Sequence, residues 1–435
     1  MYRPLFKWLA AFLIVLVILP PLHTQAEGGE HLRVVSDTAL TERLHEIVLD
    51  SPALGKQTPL RVLLPKDYDE HAKKKYPVLY MLHGCCGDYK SWTVAGDIEN
   101  MTKDLPLVIV MPDAGRGGSY SNWYNNGSYG KPQWEDYHIK ELIPWVEQAY
   151  QVKNTREGRA IAGLSMGGFG SLSYAARHPD LFLAAASFSG VINTNLDPVF
   201  LDKTIFQNQE NVPPGTVWGD RETHEIIWRS HNPWDLAENL DGVNLSIYTG
   251  TGEAGGPLDG GVASSVEEIC YSMSTSLHNR LEQLNISHEW NSYGPGSHTW
   301  GYWKRDLEQT LPRFMTLFAH PTKAPMPFSY KSAETSFSIY GWSVQFNRVA
   351  EEFAELQQVS KNGFTITGSG TAEMKTAAWY NPHKRYLVKM HGKGNHQTII
   401  IKPDRNGKLK FDVKISADPS KQEKNTIEVI IRKLG

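Results

Sequence analysis

The sequence predicts an α/β protein: a doubly wound, mostly parallel sheet followed by a small all-β, sandwich-like C-terminal domain. Three observations carry this. Continuous apolar runs bounded by turns alternate with amphipathic helical stretches from about residue 44 to 318. Three prolines fall within His320–Pro327. Beyond them, only short strand-like segments recur between turn residues. The 435 residues allow two or three domains, and 40% hydrophobic with 21% charged residues exclude a disordered or collagen-like chain. A net charge of −3 gives no nucleic-acid footprint. Three cysteines are too few for a disulfide scaffold, so apolar burial must build the core.

The elements follow in order. Arg3 and Lys7 frame the start of the apolar run Trp8–Leu19, which Pro20-Pro21 closes. Thr24-Gln25-Ala26 then has the small-x-small form of a cleavage site, so residues 1–26 read as a secretory signal peptide and the mature protein as extracytoplasmic. The run is shorter than the roughly 20 residues of a membrane span. Leu44–Asp50 and Leu60–Leu64 read as paired strands, and Pro77–Leu82 and Leu107–Met111 as strands buried on both faces. Tyr137–Tyr150 has helical spacing. Arg159–Ala162 is the next strand, Gly167–Arg177 a small-residue helix, and Ala184–Ser187 and Leu245–Thr249 further strands. Val266–Leu284 is a long helix and His288–Tyr293 the last strand, which closes an α/β domain over residues 40–319. A proline-rich linker over 320–328 leads to the all-β domain at 329–435. There Thr335–Tyr340, Phe364–Thr367, Tyr386–Met390, Thr398–Ile401, Leu409–Val413 and Thr426–Ile431 read as strands, and Ala350–Gln358 as one or two helical turns. From Pro321 on, 18 Lys plus Arg face 10 Asp plus Glu. That balance would suit docking to an anionic wall polymer or membrane surface, but the charges are spread along the domain, which favours a soluble packing role.

The chemistry is read from Gly163-Leu164-Ser165-Met166-Gly167, a G-x-S-x-G pentapeptide between a predicted strand and a predicted helix. Strand, elbow and helix together are the nucleophile elbow of an α/β-hydrolase. A serine hydroxyl needs a base, and in this fold the acid and then the histidine follow the serine in sequence. Of the 16 histidines, His298 lies in the loop after the last predicted strand, where the fold delivers its base; His278 and His288 lie in a helix and at a strand start. For the acid, position favours Glu253, just after Leu245–Thr249, with Asp259 and Glu268 open. The oxyanion donors expected are the N–H groups of Met166 and of Cys85, in the His83-Gly84-Cys85-Cys86-Gly87 loop after the strand Pro77–Leu82. His83 and Asp88 read as packing and capping residues. No Cys/His cluster has metal spacing, and neither metal nor cofactor is expected. Cys85, Cys86 and Cys270 read as small buried hydrophobes.

Several stretches share a wider pattern: His83-Gly84 with Gly87-Asp88-Tyr89 and Ser91-Trp92; Ser119-Tyr120-Ser121-Asn122-Trp123-Tyr124; Trp134-Glu135; the pentapeptide; and Gly296-Ser297-His298-Thr299-Trp300-Gly301-Tyr302-Trp303. Together they resemble the esterase family of α/β-hydrolases that holds S-formylglutathione hydrolases, tributyrin and feruloyl esterases and the secreted trehalose mycolyltransferases. The resemblance covers about residues 44–318. It implies a serine esterase working through Ser165, His298 and an acyl-enzyme. In the mycolyltransferase-like branch the acid is a Glu on the helix after a long loop, which puts Glu268 ahead of Glu253, with Glu267 and Asp259 behind. It also implies an alternative, acyl transfer to a sugar or glycerol hydroxyl, for which Trp123, Tyr124 and Trp300, with Tyr129 and Trp134, would form a substrate-binding platform. Where the mycolyltransferases read Asp-Gly-Leu-Arg this chain reads His83-Gly84-Cys85-Cys86, so trehalose and mycolate are not carried over. The expected substrate is a small-molecule, lipid or carbohydrate ester. The competing class is a non-catalytic cell-surface binding protein.

Overall fold

The computed structural model describes residues 31–71, 73–421 and 423–435. The signal-peptide reading at 1–26 lies outside them. Among the described residues no helix is long and apolar enough to cross a membrane.

Among the described residues nine strands form the first sheet: β1 (Arg33–Ala39), β2 (Leu44–Ser51), β3 (Lys56–Leu63), β4 (Val78–Leu82), β5 (Val108–Pro112), β6 (Arg159–Leu164), β7 (Ala184–Phe188), β8 (Asn244–Thr249) and β9 (His288–Ser292). Their order is β1-β2-β3-β5-β4-β6-β7-β8-β9. The β1–β2, β2–β3 and β3–β5 pairs are antiparallel, and every pair from β5 to β9 is parallel. β4, β5, β6 and β7 are buried along their whole length, which explains their unbroken apolar sequences.

Period-two alternation divides these strands between two cores. Val78, Tyr80, Leu82, Val108, Val110 and Ile161 face one side, and Leu79, Met81, Ile109, Met111, Ala160 and Ala162 the other. Helices that cover the first face include α1 (Met166–Arg177), through Leu172, Ala175 and Ala176, and α2 (Ser265–Gln283), through Cys270, Met273, Leu277 and Leu281. A third helix, α3 (Trp300–Ala319), covers the second face with Trp303, Leu307, Leu311, Phe314 and Phe318. Each buried Val, Leu, Ile, Met or Phe among them contributes about 1.5–3 kcal/mol by leaving water.

The C-terminal domain is a sandwich of two antiparallel sheets. Its strands are β10 (Phe328–Ser332), β11 (Ser336–Ile339), β12 (Trp342–Asn347), β13 (Ala354–Ser360), β14 (Gly363–Gly368), β15 (Thr371–Lys375), β16 (Tyr386–Gly392), β17 (Asn395–Ile401), β18 (Lys410–Lys414) and β19 (Asn425–Lys433). One sheet runs β10-β13-β14-β19-β16-β17, the other β11-β12-β15-β18. The helical turns expected at Ala350–Gln358 are corrected: this segment leads into β13. The pairing with β14 shifts register between Gln357 and Ser360, and Gln358 has φ +53°. The extra residue turns Val359 inward and breaks the alternation that marks a strand.

The β domain packs against the α/β domain. The Tyr330 hydroxyl donates to the Arg177 carbonyl at 2.7 Å, and Lys331 and Asn239 exchange two bonds of 2.8 Å. Phe353 joins the core of the α/β domain. Within the proline-rich segment, the Thr322 carbonyl accepts from Arg156 at 3.1 Å.

Candidate active site

Ser165 stands between β6 and α1 with φ +52° and ψ −117°. A non-glycine residue in this region is strained, and the turn persists because its neighbours over-determine it. A Cβ on Gly163 would lie 2.5 Å from the Gly167 carbonyl, and one on Gly167 would lie 2.5 Å from the Leu82 oxygen. No side chain fits at either point, so β4, β6 and α1 close tightly around the serine. Ser165 N–H donates to the Phe188 carbonyl at 2.8 Å, which ties the elbow to β7.

The carboxylate beside His298 is Glu267, and the expectation of Glu268 is corrected. His298 Nδ1 lies 2.7 Å from Glu267 Oε2. The other oxygen, Oε1, accepts from Ser189 Oγ at 2.8 Å and from Gly250 N–H at 2.7 Å, with Thr249 Oγ1 at 3.1 Å. Glu267 is fully buried, whereas Glu268 is exposed. The reason is helical register: successive residues on a helix are rotated by about 100°. Glu267, Cys270, Ser274, Leu277 and Leu281 share the inward face of α2. The Ser264 side chain caps the helix by accepting from Glu267 N–H at 3.3 Å. Because an ionised carboxylate only accepts, Nδ1 of His298 carries the proton and Nε2 keeps its lone pair.

Glu253, the alternative acid, is exposed and accepts from Thr251 Oγ1 at 3.0 Å. Asp259 accepts from Ser297 N–H at 2.7 Å and from Gly261 N–H at 2.8 Å, so it braces the loop beside His298. Ser189, Thr249 and Trp303 escaped sequence reading. Trp303 packs edge-on against His298 at 4.9 Å, and its Nε1 donates to Ser189 Oγ at 3.3 Å. A serine just past β7 and a threonine ending β8 are the signals that could have found the first two.

Ser165 and His298 line one cavity of ≈ 210 Å³, together with Met166 and Cys85. Its remaining wall is largely apolar, with Phe169, Val191, Leu201 and Ile205. Met166 is the first residue of α1, so its N–H has no partner within the helix. The Cys86 N–H is spent on the Arg116 carbonyl at 2.8 Å. His83 packs beneath this loop as expected: its Nε2 accepts from Ala114 N–H at 3.0 Å, so Nδ1 carries the hydrogen and donates to the Gly84 carbonyl at 2.8 Å. Cys85, Cys86 and Cys270 are free thiols, and burial pushes the Cys85 thiol up. Cys86 is exposed rather than buried.

The substrate platform is corrected in most of its members. Trp123 is buried in the core and donates from Nε1 to the Gly118 carbonyl at 3.2 Å. The Tyr124 hydroxyl pairs with His224 Nε2 at 2.8 Å, away from the cavity lining. Trp134 is buried, and Tyr129 is exposed in another groove. Trp123 and Trp134 plug the domain rather than face the serine. Trp300 differs: it lines a groove of ≈ 600 Å³ with Cys86, Asp88, Lys90, Ser91 and Arg116. Cys86 belongs to both walls, so this groove, with Asp88, Lys90 and Arg116, adjoins the apolar cavity.

A serine on a strained strand-to-helix turn, at the carboxyl ends of parallel strands and lining one cavity with a carboxylate-backed histidine, defines an α/β-hydrolase. The family model described as "Putative esterase" matches residues 51–314, and the chain belongs to this esterase family. An esterase of Mycobacterium tuberculosis is 31% identical over 284 residues, which are 62% of this chain and 59% of the relative. The chain thus spans under two thirds of that relative's length. The diacylglycerol acyltransferase/mycolyltransferase Ag85B of Mycolicibacterium smegmatis is 29% identical over 250 residues, 54% of this chain and 75% of Ag85B. The fold is similar to that of Mycobacterium tuberculosis MPT51, with a TM-score of 0.51 at 22% identity, covering 61% of this chain and 95% of MPT51. The chain therefore shares its family with proteins named an esterase and an acyltransferase, and has the α/β-hydrolase fold.

Proposed function

We propose that this chain is an extracytoplasmic serine esterase that hydrolyses short acyl esters of polar alcohols through Ser165, His298 and Glu267. The observation that carries the reading is the buried Glu267–His298 bond behind a cavity that His298 shares with Ser165. Ser165 Oγ attacks the ester carbonyl and gives its proton to His298 Nε2. Glu267 holds the ring and stabilises the imidazolium. The N–H groups of Met166 and Cys85 receive the oxyanion, aided by the positive end of α1. His298 then protonates the departing alcohol, leaving an acyl-Ser165 ester. Water, deprotonated by His298, attacks that ester, and collapse releases the acid and regenerates Ser165.

The apolar cavity, below the roughly 300–1,000 Å³ of sites for drug-sized ligands, suits a short acyl group. The charged groove beside it, with Trp300 as an aromatic wall, suits the alcohol and makes a carbohydrate ester the favoured substrate. The same groove supports the second reading, in which a sugar or glycerol hydroxyl replaces water. The Arg3–Ala26 pattern supports export. Contacts of the β domain with Arg177 and Asn239 support a packing role for that domain over docking to an anionic surface.

The test is acyl release from short- and long-chain nitrophenyl esters by the mature protein, with and without glycerol or trehalose, beside Ser165→Ala. The expected result is Ser165-dependent release, faster on short chains and indifferent to the added alcohol. A new ester product that grows with the alcohol would establish transfer. Turnover retained by Ser165→Ala would overturn both readings.

A further inference from the structure

We propose that His278, Glu282 and His288 form a site for a divalent transition-metal ion of the zinc class, separate from the esterase site. His278 and Glu282 are four residues apart on α2 and so share a face. His288 opens β9, the neighbouring strand. One ligand atom from each of the three lies within 4.8 Å of the others. His278 Nδ1 and His288 Nε2 are 2.8 Å apart.

The imidazoles are held in place. His288 Nδ1 lies 2.9 Å from the Ile286 carbonyl, which only accepts, so the proton is on Nδ1 and the Nε2 lone pair points at the cluster. A backbone carbonyl fixing the far nitrogen is the usual outer-shell arrangement of a metal-binding histidine. His278 stacks on Trp290 with centroids 4.5 Å apart and planes at 6°. Without an ion, His278 Nδ1–H must donate to His288 Nε2. An ion takes both lone pairs, and His278 then carries its proton on Nε2. Bonds of 2.0–2.1 Å in a tetrahedron separate two nitrogens by about 3.3 Å, so the rings need to part by only about 0.5 Å. Two imidazoles are borderline donors that, beside one hard carboxylate, favour zinc, nickel or copper over magnesium or calcium.

The location gives the ion a clamping role. Glu267 lies eleven residues before His278 on α2, about 16 Å along the axis. β9 leads into the loop that carries His298. A metal bridge from α2 to β9 would therefore fasten together the two elements that deliver the acid and the base, without touching substrate.

The test uses the full chain stripped of metal by chelation. It is titrated with zinc chloride against a chromogenic chelator, and with cobalt chloride while visible absorption is followed. We expect one tight equivalent and the intense visible band of tetrahedral cobalt. Glu282→Gln, an exposed change that leaves the core intact, should weaken zinc binding about tenfold. His278→Gln with His288→Gln should weaken it at least a hundredfold. The exposed pair His391 and His396, 3.0 Å apart across β16 and β17, is the internal competitor. His391→Gln with His396→Gln should leave the tight equivalent intact. Unchanged affinity in Glu282→Gln and in the double variant, or loss of the tight equivalent in the His391/His396 variant instead, would overturn the proposal.

Discussion

At the scale of single residues, Glu267 is a carboxylate held at both oxygens. One oxygen meets His298 and the other the Ser189 hydroxyl and the Gly250 amide. Glu267→Gln keeps the shape but places an NH₂ group against a donor, whichever way the amide turns. If the amide faces His298, the imidazole loses the acceptor that fixes its proton on Nδ1. We expect kcat to fall by about 10³–10⁴, as when the orienting acid of a serine triad becomes an amide. Glu268→Gln should stay within about twofold. Nitrophenyl-ester kinetics on both variants, with thermal unfolding as a control, decide it; equal losses would remove Glu267 from the site. The distinction was legible in part. The spacing Glu267, Cys270, Ser274, Leu277, Leu281 is present in the sequence and marks one helical face, yet a family register one residue away was given more weight. Trp123 and Tyr124 were not legible. An aromatic plug and an aromatic platform have the same composition, and only the tertiary packing around Trp123 separates them.

At the scale of elements, the strands of the parallel sheet were legible because burial on both faces leaves unbroken apolar runs. α3 was not read, although Trp303, Leu307, Leu311, Phe314 and Phe318 follow helical spacing, because Gly301 and Pro312 interrupt the pattern. Its inward face also carries Asp306, fully buried, with one oxygen bonded to Arg305 and the other without a hydrogen-bond partner among the described residues. Burial raises the Asp306 pKa to about 7, against the pull of Arg305, and Glu267 adds to the rise. An unfolded aspartate titrates near ~3.9. Between about pH 4 and 7 the folded chain therefore holds a proton that the unfolded chain has lost. Stability falls as pH rises through that window, by up to about 4 kcal/mol. Asp306→Asn cannot ionise and still accepts from Arg305. It should match the wild type at pH 4 and melt at a higher temperature at pH 8. Parallel pH profiles of Tm for the two proteins would assign the slope to another group.

At the scale of the molecule, α1 links the Ser165 site to the domain interface. It begins after Ser165 and ends at Arg177, about 18 Å away along the helix. There the Arg177 guanidinium donates to Glu135 and to Glu334 of the β domain, both at 2.8 Å, while its carbonyl receives the Tyr330 hydroxyl. Burial would push the Glu135 carboxyl up, but Arg177 and His178 hold it well below the usual carboxylate range. Its contribution is therefore present above pH ~4.3, the unfolded value, and is lost as pH falls. The boundary between domains was legible from the prolines, but this contact was not, since it joins residues 157 positions apart. Arg177→Leu leaves Glu135 buried with His178 as its nearest compensating partner, and removing one member of a buried pair costs about 3–5 kcal/mol. Glu334→Gln, at a half-exposed carboxylate, should cost no more than about 1 kcal/mol. Urea unfolding at pH 7 measures both. If the two domains are one cooperative unit, the wild type unfolds in a single transition and Arg177→Leu lowers its midpoint. If the two variants are equally stable, the network is surface decoration and α1 transmits nothing between the nucleophile and the β domain.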